Sequence, residues 1–475
     1  MAAEFLRTHG IDLDAELARM QQGGNADPTR DRDMETVISN VSLPKTRLGT
    51  RWTVFISHGR IARITLHTDK LMRTLPTTAS IIHGRGALLA PSLCHPHIHI
   101  DKAFLLSYPK YSDLQIQSGD FNEAMVLTGK AKAQFTADDL LERGQRVVDE
   151  SVEAGVSHMR AFVEVDAVVG NACLDAGVEL KRKAETEGRC HVQLCAFAQL
   201  ALFSASDGDE DGAIIRRLME QAAGREEVDV LGSTPYVESD RKKTQRNVRW
   251  LVELSIKSKK HVDFHLDYHL DANVEPVVWY VIKTLKEMGW KEKNQGKTVV
   301  LGHCTRLTRF DGQDWTRLRE EIGDLPISFV GLPTSDLFMM RTPEKARGTL
   351  NVPELIQQHG LNACLGINNI GNAFTPYGSC DPLALACHGV GIYHAGTQQD
   401  AEVLYECVSN RAKAAIGVGS DRESLEFREG SWADLLLFAS EQPEWRTRKS
   451  VADSIYLYDR CHGRVSIVRG RRVQG

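Results

Sequence analysis

The sequence predicts an α/β protein: a (β/α)8 TIM barrel with a small flanking β-domain built from both chain ends. Three observations carry that expectation. Between residues 93 and 425, short apolar runs alternate with helical patterns, the texture of parallel strands joined by crossover helices. Histidines, carboxylates and amides stand at the ends of those runs, where a barrel collects its functional groups. Short β-branched runs bounded by turn residues recur near both termini.

Taken in order, residues 1–34 read as an N-terminal extension. Asp12 to Gln22 fits one short helix, and the Gly- and Asp-rich stretch from Gly23 to Asp33 fits a linker. Thr36–Leu43 and Trp52–Ile56 are expected strands, and His58-Gly59 is a turn into a third, Arg60–Ile64. Ala433–Phe438 and Val465–Val468 have the same texture, with a turn at Arg469-Gly-Arg471. These segments assign residues 35–92 and 426–475 to one β-domain, and 93–425 to the barrel. Barrel strands are expected to end near His99, Glu164, Gln199, Val237, Asp267, His303, Leu332 and Asn368. Helical patterns between them include Ala137–Ala154, Cys173–Glu187 and Val248–Lys259.

Composition narrows the function classes. The chain is 42% hydrophobic and 25% charged with net charge −5, so it has material for a large core and no basic stripe for nucleic acid. No apolar run is long enough for a membrane span. The first thirty residues hold Glu4, Asp12, Asp14 and Glu16 and lack the apolar stretch of a signal peptide. Ten cysteines are scattered without a C-x-x-C pair, which fits reduced thiols in the cytoplasm. The expected partner is a small molecule, with homo-oligomerisation left open.

The segment Pro91-Ser-Leu-Cys-His-Pro-His-Ile-His-Ile-Asp-Lys102 is the richest in chemistry. His97 and His99 stand two apart behind an apolar run. On a strand their imidazoles share one face, half of a site for zinc, iron or manganese. By itself the pair is also consistent with two polar strand-end histidines that bind nothing.

The segment resembles the first-strand motif of the amidohydrolase superfamily, and Asp101-Lys102 points to its cytosine-deaminase-like branch. Three later segments resemble that branch in the same order: Val262-Asp-Phe-His-Leu-Asp-Tyr-His-Leu-Asp271, Val299-Val-Leu-Gly-His-Cys-Thr305, and Leu365-Gly-Ile-Asn-Asn-Ile370 with Phe374-Thr-Pro-Tyr-Gly378. The resemblance implies a β-sandwich beside the barrel and one divalent metal, zinc or iron before manganese. His97, His99 and His265 would bind it, with His303 facing the attacking oxygen. It also implies that Gln199 contacts the substrate's amide edge and that Phe374 packs on its ring.

Two positions depart from the family and bear on the chemistry. A deaminase of this branch carries an aspartate after strand eight and a glutamate three residues after the strand-five histidine. Here they are Asn368 and Tyr268. An amide is no base, and a phenol of ordinary pKa ~10 is a poor shuttle. A metal held by neutral ligands keeps its full charge, which favours ionisation of a nearby phenol and binding of an anion. Asp267 shares strand parity with His265, but the family has an aspartate there as well. Glu164 and Glu238 fit structural salt bridges at least as well as catalysis. Leu200-Ala201 and Arg160-Ala-Phe-Val-Glu164 also differ from the family, so cytosine itself is a poor guess. The leading reading is a metal-dependent hydrolase acting on C–N bonds of a cyclic amide or amidine, such as a deaminase. Its rivals are a lyase, isomerase, decarboxylase or cyclase on the same scaffold, and a non-catalytic pseudoenzyme.

Overall fold

The computed structural model describes residues 36–75, 79–342, 346–419, 424–439, 444–460 and 463–473. The expected helix at Asp12–Gln22 and the linker after it lie outside the described residues.

Among the described residues, sixteen strands run in chain order: β1 (Thr36–Val41), β2 (Trp52–Ser57), β3 (Arg60–Leu66), β4 (Ser80–His83), β5 (Leu89–Pro91), β6 (Leu93–His99), β7 (Val156–Glu164), β8 (His191–Ala198), β9 (Val228–Ser233), β10 (His261–Leu266), β11 (Val299–His303), β12 (Ile327–Gly331), β13 (Ala363–Leu365), β14 (Leu435–Leu437), β15 (Val465–Val468) and β16 (Arg471–Val473). β6 to β13 form one sheet in sequence order with every neighbouring pair parallel. Crossover helices cover its outer face, so the strands are buried on both faces, and all nine residues of β7 are buried. The first and last strands meet through a single parallel bridge, Ile98 to Asn368. There the His99 N–H donates to the Asn368 carbonyl at 2.8 Å and the Asn368 N–H donates to the His97 carbonyl at 3.1 Å. This is the expected (β/α)8 barrel.

Local chemistry sets the element ends. The helix Ala137–Ala154 starts on a capping box between Thr136 and Asp139 and stops at Gly155, whose φ of 103° suits a residue without Cβ. The Cys173–Glu187 pattern is the helix Ala172–Thr186. The Val248–Lys259 pattern is the second half of a longer helix, Arg241–Ser258, capped by Asp240. Its first turns carry Arg, Lys and Gln rather than apolar residues, so hydrophobic periodicity cannot register them. Two expected strand ends are corrected. β9 stops at Ser233, and Val237 lies in a 3-10 turn opened by Pro235, which has no N–H for a ladder. β13 stops at Leu365, and Asn368 lies beyond it with φ of 68°.

The two chain ends form two four-stranded sheets, ordered β3-β2-β1-β4 and β16-β15-β14-β5. They share one core in which Ile38, Val41, Val54 and Ile56 meet Leu89, Leu435, Leu437 and Ile467. This is the flanking sheet domain built from both termini. The Thr36 hydroxyl donates to the Gly470 carbonyl at 3.2 Å, across 434 residues of sequence. No helix among the described residues is long and apolar enough to cross a membrane.

The barrel interior holds a buried ion pair. Arg160 on β7 donates to Asp263 Oδ2 on β10 at 2.9 Å and to Gln193 Oε1 at 3.1 Å, and both charged side chains are fully buried. Removing one partner leaves the other charge buried alone. Arg160→Met is expected to cost about 3–5 kcal/mol in urea unfolding, and Arg160→Met with Asp263→Leu to recover most of it.

Candidate active site

β6 breaks strict alternation. Its register against β7 slips between His95 and Ile98, around Pro96. Cys94 points into the barrel among Val300, Val330 and Cys364, whereas His95 turns outward and its Nε2 meets Ser151 Oγ at 3.1 Å. After the slip, Ile98 packs in the outer core, and His97 and His99 face inward. The bulge therefore selects two histidines out of three at spacing two.

His265 ends this convergence from β10. Its Nε2 lies 3.1 Å from Nε2 of His97 and 3.1 Å from Nε2 of His99. The ligand atoms of all three lie within 4.8 Å of one another. All three side chains are buried. Burial first, then neighbouring imidazoles and Lys102, hold them well below the ordinary histidine pKa, so each ring is neutral. Three neutral nitrogens so close fit a divalent ion. Zinc–nitrogen bonds of about 2.05 Å in a tetrahedron set nitrogens about 3.3 Å apart. The rings rest on an apolar floor: Phe162 stacks on His97 at 4.1 Å between centroids, and Phe197 lies 4.3 Å from His265. Gly302 gives His97 its room, since a Cβ there would stand 3.2 Å from His97 Cε1.

His303 closes the cluster from β11, 5.1 Å from His265 between ring centroids. Its Nδ1 lies 2.7 Å from Asp336 Oδ1. Burial pushes the Asp336 carboxyl up, and the contact with His303 draws it partly back. Tyr268 lies over the His303 ring at 3.8 Å. Burial, then the Asp336 charge, push its phenol well above the ordinary value. Asn368 donates from Nδ2 to Ser335 Oγ at 2.9 Å, and its Oδ1 is buried without a protein partner. Asp267, His303 and Asn368, at the mouths of three strands, all have left-handed backbone, with φ of 48°, 66° and 68°. Each costs about 1–2 kcal/mol, and asparagine, aspartate and histidine are the side-chain types that tolerate it best.

Other expected carboxylates are engaged elsewhere. Asp267 accepts the N–H groups of Val277 and Val278 at 2.7 and 3.1 Å, so it pins the following loop instead of facing the cluster. Glu238 accepts from Leu202 N–H, Ser204 and Asn247. Glu164 accepts from Lys102 at 2.7 Å and Lys132 at 2.6 Å. Burial opposes its ionisation, but the two ammonium groups win and hold it down at about 2.

Gln199 and Phe374 are brought to the same mouth. Gln199 Oε1 accepts from Lys102 Nζ at 3.2 Å, and Lys102 Nζ lies 5.1 Å from the centre of the Phe374 ring. Phe121 approaches Tyr236, Tyr268 and Phe374 at 6.2, 6.1 and 5.8 Å, which makes an aromatic box above the histidines. The helix Phe121–Lys132 roofs that box. A cavity of about 110 Å³ beside it reaches Lys132, Glu164, Gln199 and Phe374. Sequence reasoning missed Asp336, Tyr236, Phe121 and the role of Lys102. Lys102 was in plain view as the tail of the first motif, whereas the other three lie on loops and short helices with no spacing signal.

No protein-family model and no curated protein sequence matches the chain. Solved structures do. The 5-methylcytosine deaminase of Klebsiella pneumoniae, liganded with 5-fluorocytosine, is 23% identical with a TM-score of 0.76, covering 92% of this chain and 97% of its own. The N-isopropylammelide isopropylaminohydrolase of Burkholderia multivorans is 20% identical with a TM-score of 0.71, again covering 92% and 97%. A zinc-bound adenosine deaminase of Xanthomonas campestris is 15% identical with a TM-score of 0.63, covering 92% of both chains. The barrel and its flanking sheets extend across nearly the whole of these proteins, and the chain has the fold of the amidohydrolase-type deaminases.

Proposed function

We propose that the chain is a metal-dependent enzyme that hydrolyses a C–N bond in a small, flat cyclic amide or amidine. The observation that carries this reading is the meeting of His97, His99 and His265 at Nε2, buried at the mouth of a closed barrel. These three would hold one divalent ion, zinc or iron before manganese, which when bound supplies Lewis-acid activation of water and substrate. The zinc of the Xanthomonas deaminase and the pyrimidine ligand of the Klebsiella enzyme support the class of cofactor and substrate.

In this reading each protein group has one task. His303 accepts a proton at the ring edge turned away from Asp336. Tyr268 would donate a proton toward the leaving nitrogen, since the full charge of a divalent ion among neutral ligands would offset the burial that raises its phenol. Gln199 orients the substrate's polar edge, and Phe374 with the other rings covers its faces and excludes water. Asn368 takes no proton and sets hydrogen-bond geometry. The reading also places the protein in the cytoplasm, and every cysteine among the described residues is a free thiol.

A second reading has specific support. With an amide at 368 and a phenol at 268, no carboxylate stands where the family places its two proton carriers. A non-hydrolytic reaction, such as a lyase, isomerase or decarboxylase step, needs neither. Product formed in ¹⁸O-labelled water decides between them, because hydrolysis incorporates the label.

Three outcomes test the assignment. Purified protein is expected to hold about one zinc, iron or manganese per chain by elemental analysis, and His265→Ala to lose it. Tyr268→Phe is expected to lower turnover ~10²–10⁴-fold on a panel of cyclic amides and amidines with metal content unchanged, the range for loss of a general acid. Asn368→Asp with Tyr268→Glu is expected to create weak ammonia release from aminopyrimidines or aminopurines and to abolish the native reaction. A native reaction that survives this double change undiminished rejects the assignment of both positions.

A further inference from the structure

The His303 ring has two polar edges. Nδ1 lies 2.7 Å from Asp336 Oδ1, and no protein hydrogen bond reaches Nε2 among the described residues. Asp336 is fully buried on the short helix Pro333–Met339 that follows β12. Its other oxygen, Oδ2, accepts from Thr349 Oγ1 at 2.8 Å and from the Leu332 N–H at 3.3 Å. An ionised carboxylate only accepts, so Nδ1 carries the proton, and in the neutral ring the lone pair lies on Nε2.

We propose that Asp336 is a positioning residue of the active site: it fixes His303 as the Nδ1–H tautomer, so that Nε2 enters the site as an acceptor. The proposal rests on reading the histidine cluster as the reaction centre. Asp267 and Glu238 are spent on backbone amides, and the family's two carboxylate positions hold Asn368 and Tyr268. Asp336 is the carboxylate hydrogen-bonded to a site histidine. It touches no reacting atom and acts through His303 alone.

The surroundings of Oδ2 give the proposal a sharp consequence. In Asp336→Asn the side chain keeps one acceptor oxygen. The Leu332 N–H can only donate and faces the Oδ2 position, so the amide oxygen settles there. The NH2 group then takes the place of Oδ1, against His303 Nδ1. Two N–H groups cannot face each other, so the imidazole proton moves to Nε2. The site loses an acceptor and gains a donor with hardly an atom displaced. A merely structural Asp336 would lose stability in this variant without changing the tautomer.

The test is long-range ¹H–¹⁵N correlation spectroscopy on full-length protein labelled with ¹⁵N-histidine, with His303 assigned by its loss in His303→Gln. The expected result is Nδ1–H in the unmodified protein and Nε2–H in Asp336→Asn. Thr349→Val keeps the Leu332 donor and is expected to retain Nδ1–H. An Nε2–H tautomer in the unmodified protein, or Nδ1–H persisting in Asp336→Asn, overturns the proposal. Should Asp336→Asn fail to fold, the unmodified protein and Thr349→Val still decide, because either one found as Nε2–H rejects the lock. The spectra need no substrate, so failure of the hydrolytic reading in the substrate panel registers separately.

Discussion

Everything in the barrel depends on how its first and last strands meet. A parallel sheet with free edges would leave buried N–H and C=O groups without partners, and closure removes both edges at once. Here the closing seam is short. β13 has three residues, and the ring is completed past its end by the two hydrogen bonds that Asn368 makes with the backbone of His97 and His99. The residues that close the barrel are thus the residues that present the site. Anything that loosens the seam also moves two histidines, so structural integrity and the placement of these side chains cannot be varied independently at this point.

Around that seam the chemistry is mostly neutral. Four imidazoles, one amide and two phenols face a floor of phenylalanines, and the nearest full charges are kept at one remove: Asp336 behind His303, Asp263 with Arg160 behind His97, and Lys102 with Lys132 against Glu164. Such an arrangement costs little desolvation, because few charges are buried without a partner. It also makes proton placement on each ring matter more than net charge, since a neutral imidazole switches between donor and acceptor by moving one proton.

The sequence carried the barrel clearly because parallel strands leave strong marks: runs such as Val299–Leu301 that are apolar on both faces, and helices such as Ala137–Ala154 with box and glycine at their ends. The three inward histidines were legible for the same reason, although spacing alone could not say that His95 turns away, since the slip at Pro96 depends on pairing with β7. Val237 misled because its apolar character belongs to a turn held by Pro235. Asp336 could not be read at all. It reaches His303 from the short helix after the next strand, and contacts between neighbouring strand mouths leave no period in a sequence. Strand parity could not place Asp267 either: parity ends where the strand ends, and its left-handed backbone turns the carboxylate toward Val277 and Val278.

The shared core of the flanking sheets ties the first described strand to the last ones, with Thr36 bonded to Gly470. During synthesis the chain emerges at about 5–20 residues per second, so Leu435, Leu437 and Ile467, the C-terminal partners of Ile38, Val54 and Ile56, arrive roughly 20–90 s after those residues leave the ribosome. For that interval an apolar sheet face stands uncovered while the barrel is still growing beneath it. The arrangement makes the flanking domain a record of completion: its C-terminal strands can join only on a chain whose barrel has already been made in full.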